Sequence, residues 1–99
     1  MIVRFLAEAE AELDAAFAFY ESRVEGLGTR FVGEIAVAVD FVRENPKASV
    51  RIGRRFRRRQ LRHFPYGLIY AELPGEITIV AVAHLHRRPG YWKGRTRSV

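Results

Sequence analysis

Apolar residues recur at helical spacing through the first half of the chain. One set is Leu6, Leu13, Phe17, Tyr20 and Val24, and a second set is Phe31, Ile35, Ala38 and Val42. Intervals of three, four and seven residues place side chains on one face of a helix. The pattern therefore predicts two amphipathic helices, the first of which begins at about Ala7.

The segment between these helices predicts a short turn. We expect Gly26-Leu27-Gly28 to end the first helix and Thr29 to cap the second, because these residue types favour helix ends. Pro46 biases Asn45 away from the helical conformation and should end the second helix. Two helices joined by so few residues are expected to form an antiparallel hairpin.

Strand patterns flank the helical hairpin. Residues 2–6 are largely β-branched and aromatic, and further strands are predicted over 57–63, 67–73 and 76–85. Pro74-Gly75 suits a tight turn between the last two strands. We therefore predict an α+β fold of order β-α-α-β-β-β, in which the helical hairpin packs on one face of a mostly antiparallel sheet.

The last two strands are apolar on both faces of this sheet. Leu68 and Tyr70 point to the side opposite Ile69 and Ala71, and the helical hairpin can cover only one side. Two outcomes are open. The second face stays bare until a partner covers it, or residues 46–56 and the C-terminal tail fold over it.

The two halves of the chain, residues 1–45 and residues 46–99, carry net charges of opposite sign. Residues 1–45 hold four basic and nine acidic groups, 4 − 9 = −5, and residues 46–99 hold thirteen basic and two acidic groups, 13 − 2 = +11. The sum is the net charge of +6 over 99 residues, a length that predicts a single domain, 1–99, with a basic tail from about residue 87. A merely soluble surface would intersperse the two signs. The asymmetry predicts a polyanionic partner, either a nucleic acid or an acidic protein segment.

The composition excludes several kinds of site. The chain has no cysteine, which rules out disulfides, thiolate metal sites and cysteine nucleophiles. Its three histidines have no acidic neighbours in sequence, so we expect neither a metal nor another cofactor. Arg4 interrupts the apolar start, and no apolar run is long enough to span a membrane. A cytoplasmic protein is the expectation.

Four strings of residues, in order along the chain, resemble one family. The helix junction holds Tyr20-Glu21 and Gly26-Leu27-Gly28-Thr29-Arg30-Phe31. The later strands hold Phe64-Pro65-Tyr66-Gly67-Leu68-Ile69-Tyr70 and Ile79-Val80-Ala81-Val82-Ala83-His84, and the tail is His84-Leu85-His86-Arg87-Arg88-Pro89-Gly90-Tyr91-Trp92. Together they resemble the RelE/ParE toxins of type II toxin–antitoxin systems, and the tail is similar to that of the plasmid-stabilisation members.

This resemblance implies a growth-inhibiting toxin that is held in a hetero-oligomer by a cognate acidic antitoxin, part of which wraps over the sheet. One branch of the family is a metal-independent endoribonuclease that cleaves mRNA at the ribosome, and the other, ParE, blocks DNA gyrase. A further hypothesis is a non-toxic RNA-binding module, but the sequence lacks the recognised RNA-binding signatures.

Metal-free RNA cleavage needs a base, an acid and cations that stabilise the phosphate charge. The family pattern implies these candidates for the catalytic roles: Arg62, His86, Arg87 and Tyr91. Two departures from the pattern favour the gyrase branch. Gly67 stands where cleaving members commonly have an arginine, and Gln60 stands where they often have a lysine.

The surface that would bind the antitoxin or the target is predicted to combine cations with apolar side chains: Arg58, Arg62, Leu68, Tyr70, Arg87, Arg88, Tyr91 and Trp92. Tyr91 and Trp92 have a structural alternative, because aromatic side chains can also anchor a tail against its domain. His63 and His84 are predicted to be structural residues rather than catalysts.

Overall fold

The computed structural model describes residues 1–96. In chain order its elements are β1 Ile2–Phe5, α1 Ala7–Arg23, α2 Leu27–Glu44, β2 Val50–Ile52, β3 Phe56–Gln60, β4 Tyr66–Leu73, β5 Glu76–His84 and a 3-10 helix Lys93–Thr96. The predicted order β-α-α-β-β-β is confirmed, and the short strand β2 is added to it. The end of the predicted basic tail, residues 97–99, lies outside the described residues.

The strands form one sheet in the order β1-β5-β4-β3-β2. β1 runs parallel to β5, and the other neighbouring strands are antiparallel, as predicted for most of the sheet. The turn at Pro74-Gly75 is also confirmed, and Gly75 has the positive φ, 72°, that favours glycine. The strand predicted over 57–63 ends at Gln60 instead. The reason is that the Leu61 N–H donates to the Tyr66 carbonyl at 2.9 Å and closes a loop.

The helical hairpin forms as predicted, but its turn is built differently. α2 already begins at Leu27, so Thr29 lies inside the helix and does not cap it. Glu21 supplies the cap, because its carboxylate accepts hydrogen bonds from the N–H groups of Gly26 and Gly28, both at 2.9 Å. α2 ends at Glu44, just before the predicted stop at Asn45-Pro46. Within residues 1–96, neither helix is both long and apolar enough to cross a membrane.

The sheet has a buried core on each face. The helix side holds residues from both helices and the sheet: Phe31, Ile35, Val42, Leu68, Tyr70, Ile77, Ile79 and Val82. The opposite side holds a smaller cluster: Phe56, Ile69, Ala71, Val80, Ala81 and Trp92. Of the two outcomes left open by the sequence, the structure shows the second, since the tail and the β2–β3 segment cover this face.

Candidate functional site

The residues predicted to bind a partner converge most closely at the C-terminal end of β5. A cavity of about 160 Å³ lies there, and we call it the β5-end cavity. It is lined by Arg58 of β3, by His84 at the end of β5, and by Arg87, Arg88, Tyr91 and Trp92 of the tail. Two separate elements, β3 and the tail, thus bring three arginines of the predicted set around one opening.

The three consecutive arginines of β3 make different contacts. Arg58 lies on the opposite face of the sheet from Arg57 and Arg59, because successive side chains of a strand alternate between its faces. Arg57 donates to the Ser49 carbonyl at 2.9 Å. The Arg59 guanidinium lies 3.6 Å from the centroid of the Phe41 ring, a cation–π contact on the helix side. Only Arg58 of this run reaches the β5-end cavity.

Gly67 makes room for Arg58. A Cβ on Gly67 would lie 3.0 Å from Cγ and 3.2 Å from Cδ of Arg58, closer than ordinary van der Waals contact. The glycine therefore lets the Arg58 side chain lie across β4. A cation still reaches this face of the sheet, but it comes from the neighbouring strand.

The tail turns back at the end of β5 and presents Arg87. The Arg87 N–H donates to the His84 carbonyl at 3.1 Å, and its guanidinium lies 4.0 Å from the centroid of the Tyr91 ring. Stacking on an aromatic ring orients a guanidinium without neutralising its charge. Arg87 is exposed, and Arg88 beside it is exposed as well.

A second cavity, of about 280 Å³, lies on the helix side of the same corner, and we call it the α1 cavity. It shares His84 and Arg87 with the β5-end cavity and is otherwise lined by α1 and the sheet, with Phe19 and Val82 among its apolar residues. Phe19 is 48% exposed, as is Leu85, which lines the β5-end cavity. The corner therefore combines cations with exposed apolar side chains.

Glu12 of α1 holds the tail in place. Its carboxylate accepts hydrogen bonds from the Tyr91 hydroxyl at 2.7 Å, from both terminal nitrogens of Arg95 at 2.9 and 3.0 Å, and from the Val82 N–H at 3.0 Å. Arg95 also donates to the Val80 carbonyl at 3.1 Å. Glu12 and Arg95 thereby bind the Val82 N–H and the Val80 carbonyl of β5. These groups lie beyond Ile79, the last residue of β5 that pairs with β1.

The titration of these groups follows from the contacts. Burial raises the pKa of Glu12, but the hydrogen bonds from Arg95, Tyr91 and Val82 outweigh it, and the net pKa lies below the ordinary 4.5. Burial and the hydrogen bond to Glu12 raise the pKa of Tyr91 to about 12. The hydrogen bond to Glu12 also raises the pKa of Arg95.

The four catalytic candidates are not gathered in one place. The hydroxyl proton of Tyr91 is donated to Glu12, and a phenol with a pKa of about 12 is a poor base at neutral pH. Arg62 lies in the loop after β3, where the N–H of the next residue, His63, donates to Glu34 of α2 at 2.7 Å. Neither Arg62 nor His86 lines the β5-end cavity.

The histidines have structural contacts. The His63 ring lies 2.9 Å from the Glu34 carboxylate through Nδ1. His84 Nδ1 accepts the His86 N–H at 3.0 Å, and the two imidazole centroids are 5.2 Å apart. Within residues 1–96, no group of three or more histidine and acidic side chains is placed to hold a metal ion.

Three residues of the predicted binding surface are buried, and that part of the prediction is corrected. Leu68 and Tyr70 are 0% exposed because their strand positions face the helices, and the Tyr70 hydroxyl donates to the Pro46 carbonyl at 2.7 Å. Trp92 is 3% exposed and packs edge-on against Phe56 with 4.7 Å between ring centroids. Trp92 therefore anchors the tail.

A family model described as "ParE toxin of type II toxin-antitoxin system, parDE" matches residues 3–89. One similar solved structure is described as "Chromosomal ParDE TA system from P. aeruginosa". A chain of it superposes with a TM-score of 0.72 at 21% identity, with 87% of this chain and 97% of that chain covered. This likeness shows a common fold. No curated protein sequence matches the chain.

Proposed function

Because the chain belongs to the ParE toxin family of type II toxin–antitoxin systems, we propose that it stops bacterial growth by binding DNA gyrase in the cytoplasm. A cognate acidic antitoxin neutralises it in a hetero-oligomer. The toxin acts by binding rather than by cutting RNA. The observation that carries this proposal is the β5-end cavity with Arg58, Arg87 and Arg88 around it.

The charge of this cavity suits an acidic protein segment. Among residues 1–96, its lining includes three arginines and no carboxylate. Charges that face a partner of opposite sign speed association and fix its orientation, whereas the same exposed charges contribute little to folding. The cavity can therefore be dedicated to a partner without loss of stability.

The α1 cavity adds apolar surface to the charge of the β5-end cavity. Phe19 in this cavity is 48% exposed, and Leu85, which lines the neighbouring β5-end cavity, is exposed to the same extent. An antitoxin segment with both acidic and apolar residues would cover the two cavities at once, with Arg87 and His84 between them. Disordered segments of this kind commonly fold on binding.

The geometry favours binding over catalysis. Tyr91 is committed to Glu12, and Arg62 lies outside the cavity. Losing one electrostatic contact such as that of Arg62 typically costs a nuclease about a hundred- to a thousandfold in rate.

Induced expression in a bacterial host tests the proposal. We expect growth to stop, and to resume when the adjacent small reading frame is coexpressed. Reversal of charge at the cavity, Arg58→Glu with Arg87→Glu, should abolish the arrest. A matched control, Arg30→Glu with Arg43→Glu on the exposed face of α2, should preserve it.

Two outcomes would contradict the proposal. One is an arrest that the cavity variant and the α2 control produce equally. The other is codon-phased mRNA cleavage, detected by primer extension, that vanishes when His86→Ala is combined with Tyr91→Phe. That second result would identify an endoribonuclease instead.

A further inference from the structure

A second basic cavity lies beside the β2–β3 hairpin, and the proposed toxin–partner contact does not use it. Its volume is about 340 Å³, and we call it the arginine cavity. Five cationic residues line it: Lys47, Arg51, Arg54, Arg55 and Arg57. It shares no lining residue with the β5-end cavity.

Two cations of the arginine cavity, Arg51 and Arg57, are held by backbone carbonyls. Among residues 1–96, Glu72 is the one carboxylate in the lining, and that group is bound to Lys47 at 2.9 Å. Arg51 donates to the Arg54 carbonyl at 3.2 Å, and Arg57 donates to the Ser49 carbonyl. Carbonyl acceptors orient a guanidinium but leave its full charge, and each guanidinium has five donors to offer.

The register places two of these cations directly opposite each other. Arg51 of β2 pairs with Arg57 of β3 across the antiparallel ladder. Like charges at directly opposed positions destabilise a sheet. An anion bound by both guanidinium groups would reduce that repulsion and would therefore stabilise the hairpin.

The cavity combines five cations with no fully exposed apolar side chain. Its apolar lining residues Phe56 and Ala71 are only 9% and 4% exposed, and Leu73 is half-buried. β2 gives an added peptide strand only three residues to pair with, Val50–Ile52. Protein partners rely on buried apolar anchors, whereas a nucleic-acid backbone binds through its phosphates and the release of their counterions.

We propose that the arginine cavity binds the phosphodiester backbone of a nucleic acid. Arginine is suited to this role because its planar guanidinium matches two phosphate oxygens at once. Binding here leaves the β5-end and α1 cavities open. The protein can therefore contact nucleic acid and a protein partner together, and the site stands whether or not gyrase is the target.

Fluorescence anisotropy of a short labelled DNA duplex tests the site with the purified chain. For wild type, log K should fall linearly with log salt between about 50 and 200 mM. Removing two phosphate contacts with Arg51→Gln and Arg54→Gln should reduce that slope by about 1.8, because each contact contributes about 0.9. Lysines at the same two positions should preserve the slope.

The matched control carries the same charge change at the other cavity, Arg87→Gln with Arg88→Gln, and should leave the slope nearly unchanged. Equal losses in the two double variants would overturn the proposal, since they would indicate diffuse attraction. So would the absence of duplex binding by folded wild type, or displacement of the duplex by polyglutamate at equal charge. Similar affinity for an RNA duplex of the same sequence would support backbone recognition, and a preference would identify which nucleic acid the site takes.

Discussion

Arg58 lies across the backbone of Gly67, with its Cγ 3.0 Å from the point where a Cβ on Gly67 would stand. Because Gly67 of β4 has no side chain, the Arg58 side chain has room to lie in the β5-end cavity. The sequence alone suggests a missing catalytic arginine at Gly67, but in the folded chain this space is occupied by the Arg58 side chain.

Gly67→Ala should therefore weaken partner binding more than it affects folding. Arg58 is exposed and can move aside, and alanine removes the entropic cost of a strand glycine, so stability should change by less than about 1 kcal/mol. Growth inhibition should fall as Arg58 is displaced. Gly33→Ala on α2, where a Cβ would meet no atom within 4 Å, is the control and should leave inhibition intact. Equal toxicity in both variants would refute the role given to this contact.

Glu12→Ala should be strongly destabilising. It would leave Arg95, Tyr91 and the Val82 N–H without their shared acceptor in a part-buried position, a loss of about 2–4 kcal/mol. Glu10→Ala, at an exposed position of the same helix, should change stability by less than about 0.5 kcal/mol. Urea denaturation compares the two, and similar midpoints would show that the tail is held by Trp92 alone.

The lowered pKa of Glu12 predicts that the stability of the protein depends on pH. The hydrogen bonds that outweigh burial hold the folded-state pKa of Glu12 below 4.5, so the unfolded chain takes up a proton first as pH falls. The stability due to Glu12 is thus fully present above pH 4.5 and is lost as pH falls through the lowered folded-state value. Wild type should be more stable than Glu12→Gln at neutral pH, and the difference should shrink in acid. A difference that stays constant with pH would mean that the carboxylate charge is not what stabilises the tail.

Tyr91→Phe separates binding from catalysis. The ring that supports Arg87 remains, and one hydrogen bond to Glu12 is lost, at a cost of about 1 kcal/mol. Growth inhibition should persist at temperatures where the variant is folded, which circular dichroism can establish. Complete loss of toxicity in a folded Tyr91→Phe protein would instead favour proton transfer by the hydroxyl.

Local patterns were enough to predict the helices, the last two strands and the β4–β5 turn, since their spacing and turn residues agree with the fold. Patterns could not single out Glu12, because Glu8 and Glu10 precede it at the same interval on the same helix. Only the packing of α1 beside the end of β5 that β1 does not pair with distinguishes it. Leu68 and Tyr70 were misjudged for a related reason, since alternation separates two faces but does not say which one the helices cover.

Inhibition of gyrase by the purified chain is the most direct test of the proposed function. In a DNA supercoiling assay with purified gyrase, wild type and the variant with Arg30→Glu and Arg43→Glu should inhibit supercoiling at similar concentrations. The variant with Arg58→Glu and Arg87→Glu should require at least about tenfold more protein, the equivalent of about 1.4 kcal/mol of lost binding. Supercoiling that proceeds unchanged at saturating amounts of folded wild type would contradict the proposal that this toxin acts on gyrase.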